Sequence, residues 1–280
     1  MGRTRTFGGQ GMDTRDTQFS ERDQAEIERS AEEARKIVLK GVDRAQIDRY
    51  RNPPGDTPFA LEYAFHLLGD VRGRTVLDFG CGTGENIVAL VERGARVIGM
   101  DISPDLIALA RQRLNDAGLE ARLEVGSAYD TGLPDGSVDV IFCIALIHHL
   151  DIARVVEEMT RILAPGGVVI LQEPVRFSRV YAFLRGLLPA HEDISEFEHP
   201  LTHEELRTLT ERFKVREQRY FRLPFVPLVR RFLAPAGPAA SKVDRWIIQN
   251  LSGIERFATI VTMKLEKRDK SAQLTSAARN

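Results

Sequence analysis

Residues Val76-Leu77-Asp78-Phe79-Gly80-Cys81-Gly82-Thr83-Gly84 constrain this chain more than any other stretch. An apolar run ends in an acid, three glycines alternate, and a helical pattern begins. That order predicts a buried strand, a tight turn and a helix N-terminus, the βα unit that holds a nucleotide-like ligand in open α/β sheets. Asp101 stands about twenty residues further on, where such a unit places an acid at the end of its second strand.

The glycine spacing narrows the ligand. A dinucleotide fingerprint G-x-G-x-x-G starting at Gly80 needs glycine at position 85, and this chain has Glu85 there. A negative side chain at the helix start competes with a pyrophosphate for the same amides. Asp78 would also repel a diphosphate, and would attract a cation. These two acids disfavour an NAD(P)-dependent oxidoreductase. S-adenosylmethionine fits better: it carries an ammonium and a sulfonium, no phosphate, and a ribose whose hydroxyls Asp101 can accept.

The rest of the chain alternates in the same style. We expect strands at 75–79, 95–100, 121–126, 138–144 and 167–173, with helices at 84–93, 104–117 and 151–163. Strands alternating with helices predict a parallel sheet covered on both faces. Ser103-Pro104 reads as a cap and first helical position, and Ala164-Pro165-Gly166-Gly167 as a helix stop. Before this region, residues 20–51 read as helix, with Ser20 and Asp23 resembling a capping box and Ile27, Ala31, Ala34, Ile37 and Val38 forming an apolar stripe. Asn52-Pro53-Pro54-Gly55-Asp56 is a loop, and Thr57-Pro58 opens a helix to Leu68. After it, Thr202 and Glu205 form a capping box for a helix to Arg212. Strands follow at 214–220 and 257–265, with a helix at 239–251 between them.

The expected fold class is therefore α/β, a Rossmann-like, doubly wound, seven-stranded, mostly parallel sheet, with an N-terminal helical segment and a helical, aromatic cap insertion. Residues 1–19 are expected to be a disordered arm, 20–70 N-terminal helices packed on the main domain or acting as a lid, 71–267 the main domain with a substrate cap within 176–256, and 268–280 a disordered tail. Met12 is an alternative start.

Composition excludes several function classes. The chain has 280 residues, 43% hydrophobic, with 39 Lys+Arg against 40 Asp+Glu and a formal net charge of -1. No basic field calls for nucleic acid or an anionic membrane surface. No apolar run reaches transmembrane length and no signal-peptide pattern is present, so a cytoplasmic protein is expected. The 2 cysteines, Cys81 and Cys143, fall in strand patterns and fit a reducing compartment.

Four segments then resemble one family in register: VLDFGCGTG at Val76–Gly84, VIGMDIS at Val97–Ser103, GSAYDTGLPDGSVDV at Gly126–Val140 and RILAPGG at Arg161–Gly167. Together they are similar to class I S-adenosylmethionine-dependent methyltransferases of the ubiquinone/menaquinone-biosynthesis type, which methylate carbon or oxygen of small molecules. The resemblance spans roughly residues 70–175. It implies that Gly80, Cys81, Gly82 and Gly84 approach the methionine portion, that Asp78 lies near its ammonium, and that Asp101 holds the ribose with Ile102 against the adenine. Ser127, Ala128 and Tyr129 fall in the adenine loop; the family often has Asp where Ser127 stands. Ile144 would line the cleft, and Tyr50, with Arg51, belongs to an N-terminal segment that closes over the cofactor in related enzymes.

Ligands bind beyond the carboxyl ends of the strands in such sheets. His148 and His149 follow the fourth strand and are candidates for a general base, with loop packing as the competing role. Glu173 ends the fifth strand and is a second candidate, with a salt bridge to Arg176 or a loop hydrogen bond competing. His191, His199 and His203 stand among acids, yet no tight ligand spacing appears, and no metal is expected. Tyr181, Phe183, Leu184, Leu187, Phe197, Tyr220, Phe221 and Phe225 could line an aromatic acceptor pocket or pack the core. The expected partner is a small lipophilic acceptor, a prenyl, terpenoid, polyketide or quinone-like compound, with a homo-oligomer through the N-terminal helices as a further expectation. A non-catalytic, methyltransferase-like binding subunit is the remaining alternative.

Overall fold

The computed structural model describes residues 21–177, 199–226, 229 and 233–268. Seven strands form one sheet in the order β3-β2-β1-β4-β5-β7-β6. The strands are β1 (Thr75–Phe79), β2 (Arg96–Asp101), β3 (Arg122–Val125), β4 (Val138–Ile144), β5 (Leu163–Pro174), β6 (Phe213–Phe221) and β7 (Ile260–Lys267). β1 to β5 run parallel, and β7 lies antiparallel between β5 and β6. The strand order reverses at β1, so β1 and β4 flank the crevice where a ligand of such a sheet sits.

Both faces of the sheet are buried, as the near-continuous apolar strands require. Alternate residues go to opposite sides. Leu77, Phe79, Ile141, Cys143, Val169 and Leu171 pack on one face against α6 (Ile152–Ile162) and α7 (His203–Arg212). Val76, Val140, Phe142, Val168 and Ile170 pack on the other against α2 (Arg44–Arg51), α3 (Ala60–Leu68), α4 (Glu85–Glu92) and α5 (Pro104–Ala117). α8 (Gly237–Asn250) lies beyond β6. Its buried Asp244 accepts from the amides of Arg222 at 2.9 Å and Leu223 at 2.7 Å, which fixes the end of β6.

The helix caps follow the sequence closely. Ser103 accepts from the Leu106 amide at 3.3 Å, and Thr202 and Glu205 make the reciprocal capping box. Several boundaries move, and β5 begins at Leu163 rather than 167. The helix expected over 20–51 breaks into α1 (Glu21–Lys36) and α2, because Asp43 caps a new start by accepting from the Gln46 amide at 3.1 Å. Ile37 and Val38 thereby leave the apolar stripe and are 38% and 83% exposed. The helix after the Pro-Pro loop begins at Ala60, not Thr57; Thr57 still accepts from the Phe59 amide at 3.2 Å. The last strand begins at Ile260, because Ile254–Phe257 form a 3₁₀ turn. The Ser20–Asp23 capping box involves a residue outside the described set. Among the described residues no helix is long and apolar enough to cross a membrane.

Arg93, just past α4, donates to the carbonyls of Tyr50 and Gly69 at 2.5 Å each. These oxygens end α2 and α3, where helix dipoles favour a cation. The contact ties the N-terminal helices to the end of the sheet opposite the glycine turn.

Candidate active site

The glycine turn is pinned from β2. The amides of Gly80 and Cys81 both donate to the Met100 carbonyl at 2.9 Å. The Gly82 amide donates to Asp101 Oδ2 at 2.9 Å, and the Ser103 amide to Asp101 Oδ1 at 3.0 Å. Asp101 therefore does local work as well as standing at the strand end. Burial pushes its carboxyl up from the usual range, Glu26 of α1 pushes it the same way, and the two amides oppose them. Gly80 has φ +73°, and the Leu146 side chain covers it; an added Cβ would lie 2.7 Å from Leu146 Cδ1. Gly82 has φ +50°, and a Cβ there would meet nothing within 4 Å. The turn is thus closed by protein at Gly80 and open at Gly82. Gly84 is the N-cap of α4. Cys81 is buried, and burial raises its thiol far above the ordinary range, so it stays a neutral packing group.

The other residues expected to touch the cofactor are placed as follows. Ile102 is half-buried beside Asp101, and the Gly126 amide donates to the Asp101 carbonyl at 3.0 Å, bringing the loop after β3 alongside. In that loop Ser127 is buried, and its hydroxyl accepts from the Tyr129 amide at 3.2 Å. Ala128 and Tyr129 pack against the core. The Tyr129 hydroxyl accepts from the Asp151 amide at 2.8 Å, and Arg154 lies 4.1 Å over its ring, so Tyr129 anchors the start of α6. Ile144 is half-buried at the end of β4. Tyr50 lies on α2. It is buried, stacks on Phe65 at 4.5 Å, and its carbonyl binds Arg93 at the far end of α4. Its ring packs in the helix core, and its hydroxyl accepts from Gln46 Nε2 at 2.9 Å.

Asp78 carries the clearest signal of an absent partner. It is 1% exposed, and its Oδ2 has no hydrogen-bond partner among the described residues. Desolvation first, and the nearby Asp101 carboxylate second, push its pKa from 3.8 to about 8. A buried carboxylate without a donor, beside a turn left open at Gly82, suits a cationic ligand; the ammonium of S-adenosylmethionine fits it, and a diphosphate does not. A pH dependence follows. Between pH 4 and 8 the folded apoprotein holds a proton on Asp78 that the unfolded chain has lost, so apoprotein stability falls as pH rises through that window. An ammonium beside Asp78 expels the proton. Affinity for S-adenosylhomocysteine, which keeps the ammonium, is therefore expected to rise with pH up to about 8, by at most about tenfold per unit. Calorimetry across pH checks this, and Asp78→Asn should flatten the profile.

Beyond β4 and β5 a second cluster forms. Glu173 is fully buried on its side chain. Its Oε1 accepts from the amides of Leu146 at 2.8 Å and Ile147 at 2.9 Å, and its Oε2 lies 2.8 Å from His148 Nδ1. Among the described residues its charged-group partner is His148, and no ion pair with Arg176 forms. The turn it holds starts at Ala145, whose φ of 55° is unusual for a residue with a side chain. The rings of His148 and His149 lie 4.0 Å apart, and His149 Nδ1 is 3.8 Å from Glu26 Oε2 on α1. The geometry thus makes Glu173 a fixed acceptor and His148 the group it orients.

Arg113 and Glu26 carried no motif, and neither entered the sequence-based site. Both act through long-range contacts: Arg113 on the glycine turn, Glu26 on His149 and Asp101. His199 pairs with Glu205 at 2.9 Å, and His203 stacks on Phe177 at 4.0 Å, so these two serve local structure. His191 lies outside the described residues. No three His, Cys, Asp or Glu side chains among those described cluster as a metal site. Of the aromatic candidates, Phe221 is core, tilted against Tyr63 at 5.6 Å. Tyr220 meets Phe177 edge-on at 5.8 Å, and Phe225 is half-buried. Tyr181, Phe183, Leu184, Leu187 and Phe197 lie outside the described residues.

Comparison with known proteins agrees with this geometry. Residues 77–171 match the family model described as a methyltransferase domain. The chain is 34% identical over 141 residues to demethylmenaquinone methyltransferase of Thermus thermophilus, covering 45% of this chain and 64% of that protein. It is 30% identical over 150 residues to ubiquinone biosynthesis O-methyltransferase of Alkalilimnicola ehrlichii, covering 50% and 60%. The match thus spans under two thirds of either relative. Among solved structures, geranyl diphosphate C-methyltransferase of Streptomyces coelicolor superposes with a TM-score of 0.56 at 17% identity, over 89% of this chain and 99% of that one, which speaks for the fold. Residues 77–171 are thus similar to methyltransferase domains, and the sheet around them has the fold of a solved methyltransferase.

Proposed function

We propose that this protein transfers a methyl group from S-adenosylmethionine to a small lipophilic acceptor. The observation that carries the reading is Asp78, a buried carboxylate lacking a donor, beside a turn that leaves open space at Gly82. The cofactor supplies an activated methyl, so the protein's task is alignment, water exclusion and handling of any proton the acceptor must lose. Asp78 would bind the ammonium and Asp101 the ribose hydroxyls. His148 would act on the acceptor. With Nδ1 bonded to Glu173, its Nε2 is the basic nitrogen, in the manner of a carboxylate-oriented histidine. An acceptor hydroxyl would give its proton to Nε2 while its oxygen pair forms the new C–O bond and the S–C pair returns to sulfur.

The acceptor class rests on the relatives. Two act in quinone biosynthesis by name, and the structural neighbour acts on a prenyl diphosphate. A prenylated or quinone-like ring is the acceptor we infer, with O-methylation favoured by the His148–Glu173 pair. The test is calorimetry followed by turnover. S-adenosylhomocysteine should bind and NADH should not; the reverse sinks the reading. Incubation with labelled S-adenosylmethionine and prenylated catechols or hydroquinones should give labelled product. If the cofactor binds and no acceptor of any class is methylated, the protein is a binding subunit.

A further inference from the structure

We propose that Arg113 is a positioning residue that couples the connection between α1 and α2 to the glycine turn, so that the N-terminal helices are set in place when the cofactor is held. The proposal rests on the cofactor reading above.

Arg113 sits on α5 and is only 9% exposed. Its Nε donates to the Thr83 carbonyl at 2.8 Å, and its Nη2 reaches Thr83 Oγ1 at 3.4 Å and Glu85 Oε1 at 3.3 Å. Its Nη1 reaches the Lys40 carbonyl at 3.4 Å. Thr83 lies between Gly82 and Gly84; Lys40 lies in the non-helical stretch that breaks the expected long helix. One buried guanidinium therefore bridges two segments more than forty positions apart, |i−j| being 73 and 30 for its two carbonyl partners. A buried cation is tolerated only when its donors are satisfied. The one carboxylate in the set, Glu85, is 67% exposed on its side chain and solvent-screened, so the two carbonyls are the partners that matter. The planar fork fixes their relative positions in a way a lysine cannot.

The surroundings give this bridge something to move. A cavity of about 190 Å³ lies beside it, lined by Lys40, Gly41, Asp43, Gln46, Glu85 and Arg113 among others. A Cβ built on Gly41 meets nothing within 4 Å, so the backbone there has open space beside it, while Val42 packs against the core. α1 itself packs on α5 and brings Glu26 within 3.8 Å of His149. A ligand that fixes Thr83 fixes Arg113, and through it the Lys40 carbonyl and the approach of α1 to the β4 turn.

Amide hydrogen exchange on the full chain, with and without S-adenosylhomocysteine, tests the coupling. In the wild type the ligand should slow exchange at residues 82–85 and 39–43 together. In Arg113→Ala we expect roughly tenfold weaker binding, protection retained at 82–85, and protection lost at 39–43. Glu85→Gln should keep both. If Arg113→Ala fails to fold, Arg113→Lys carries the test, since one ammonium reaches one carbonyl but not both; it too should lose protection at 39–43. Wild-type protein that binds the ligand without protecting 39–43, or a folded Arg113 variant that still protects it, overturns the proposal. Wild-type protein that does not bind the ligand at all overturns the cofactor reading instead.

Discussion

Glu173→Gln is expected to leave the fold and cofactor affinity close to wild type and to lower turnover roughly 10²- to 10⁴-fold. The substituted carbonyl oxygen can still accept from the amides of Leu146 and Ile147, so the turn after β4 keeps its partners. The new NH₂ then faces His148 Nδ1. It must donate there, which forces the imidazole into the tautomer whose Nε2 carries the proton. A base so oriented cannot accept one. Steady-state kinetics with an acceptor hydroxyl, beside a calorimetric affinity, separates the two effects. Turnover at the wild-type level would remove His148 and Glu173 from proton handling. Glu173→Ala differs in kind: it strands two buried amides and should cost stability of about 3 kcal/mol or more.

Asp101→Ala is expected to weaken binding of S-adenosylhomocysteine by about 1–3 kcal/mol. Two losses contribute. The ribose hydroxyls lose their acceptor, and the amides of Gly82 and Ser103 lose theirs, which loosens the turn that must hold the ligand. A cycle with the 2′-deoxy ligand divides them. The wild type should lose affinity for the deoxy compound, and Asp101→Ala should lose little further, because the acceptor is already gone. An unchanged affinity in Asp101→Ala would refute both roles.

The difference between these two residues is instructive. Asp101 was legible because its role is local: an acid at the end of the strand after the glycine turn has one place to go. Asp78 was legible for the same reason, although only the fold reveals that its Oδ2 has no donor. Glu173 was found as the end of β5, with a loop hydrogen bond among its expected roles, but the partners of that bond were not legible. Its partners come from the turn after β4, and adjacency of β4 and β5 is a tertiary fact.

What the sequence alone determined is the alternating architecture, the seven strands, the caps at Ser103 and Thr202 and the identity of the cofactor turn. Each is written in short-range terms: period-two and helical apolar patterns, Ser and Thr before helices, glycines where the backbone must turn. Only the tertiary structure decided the break between α1 and α2, the bridge from Arg113 to Thr83 and Lys40, and the approach of Glu26 to His149. An arginine on a helix and a glutamate on another carry no local sign of their partners. Their contacts exist because the sheet sets the distance between helices, and burial of apolar surface, not any pairwise charge, decides that distance.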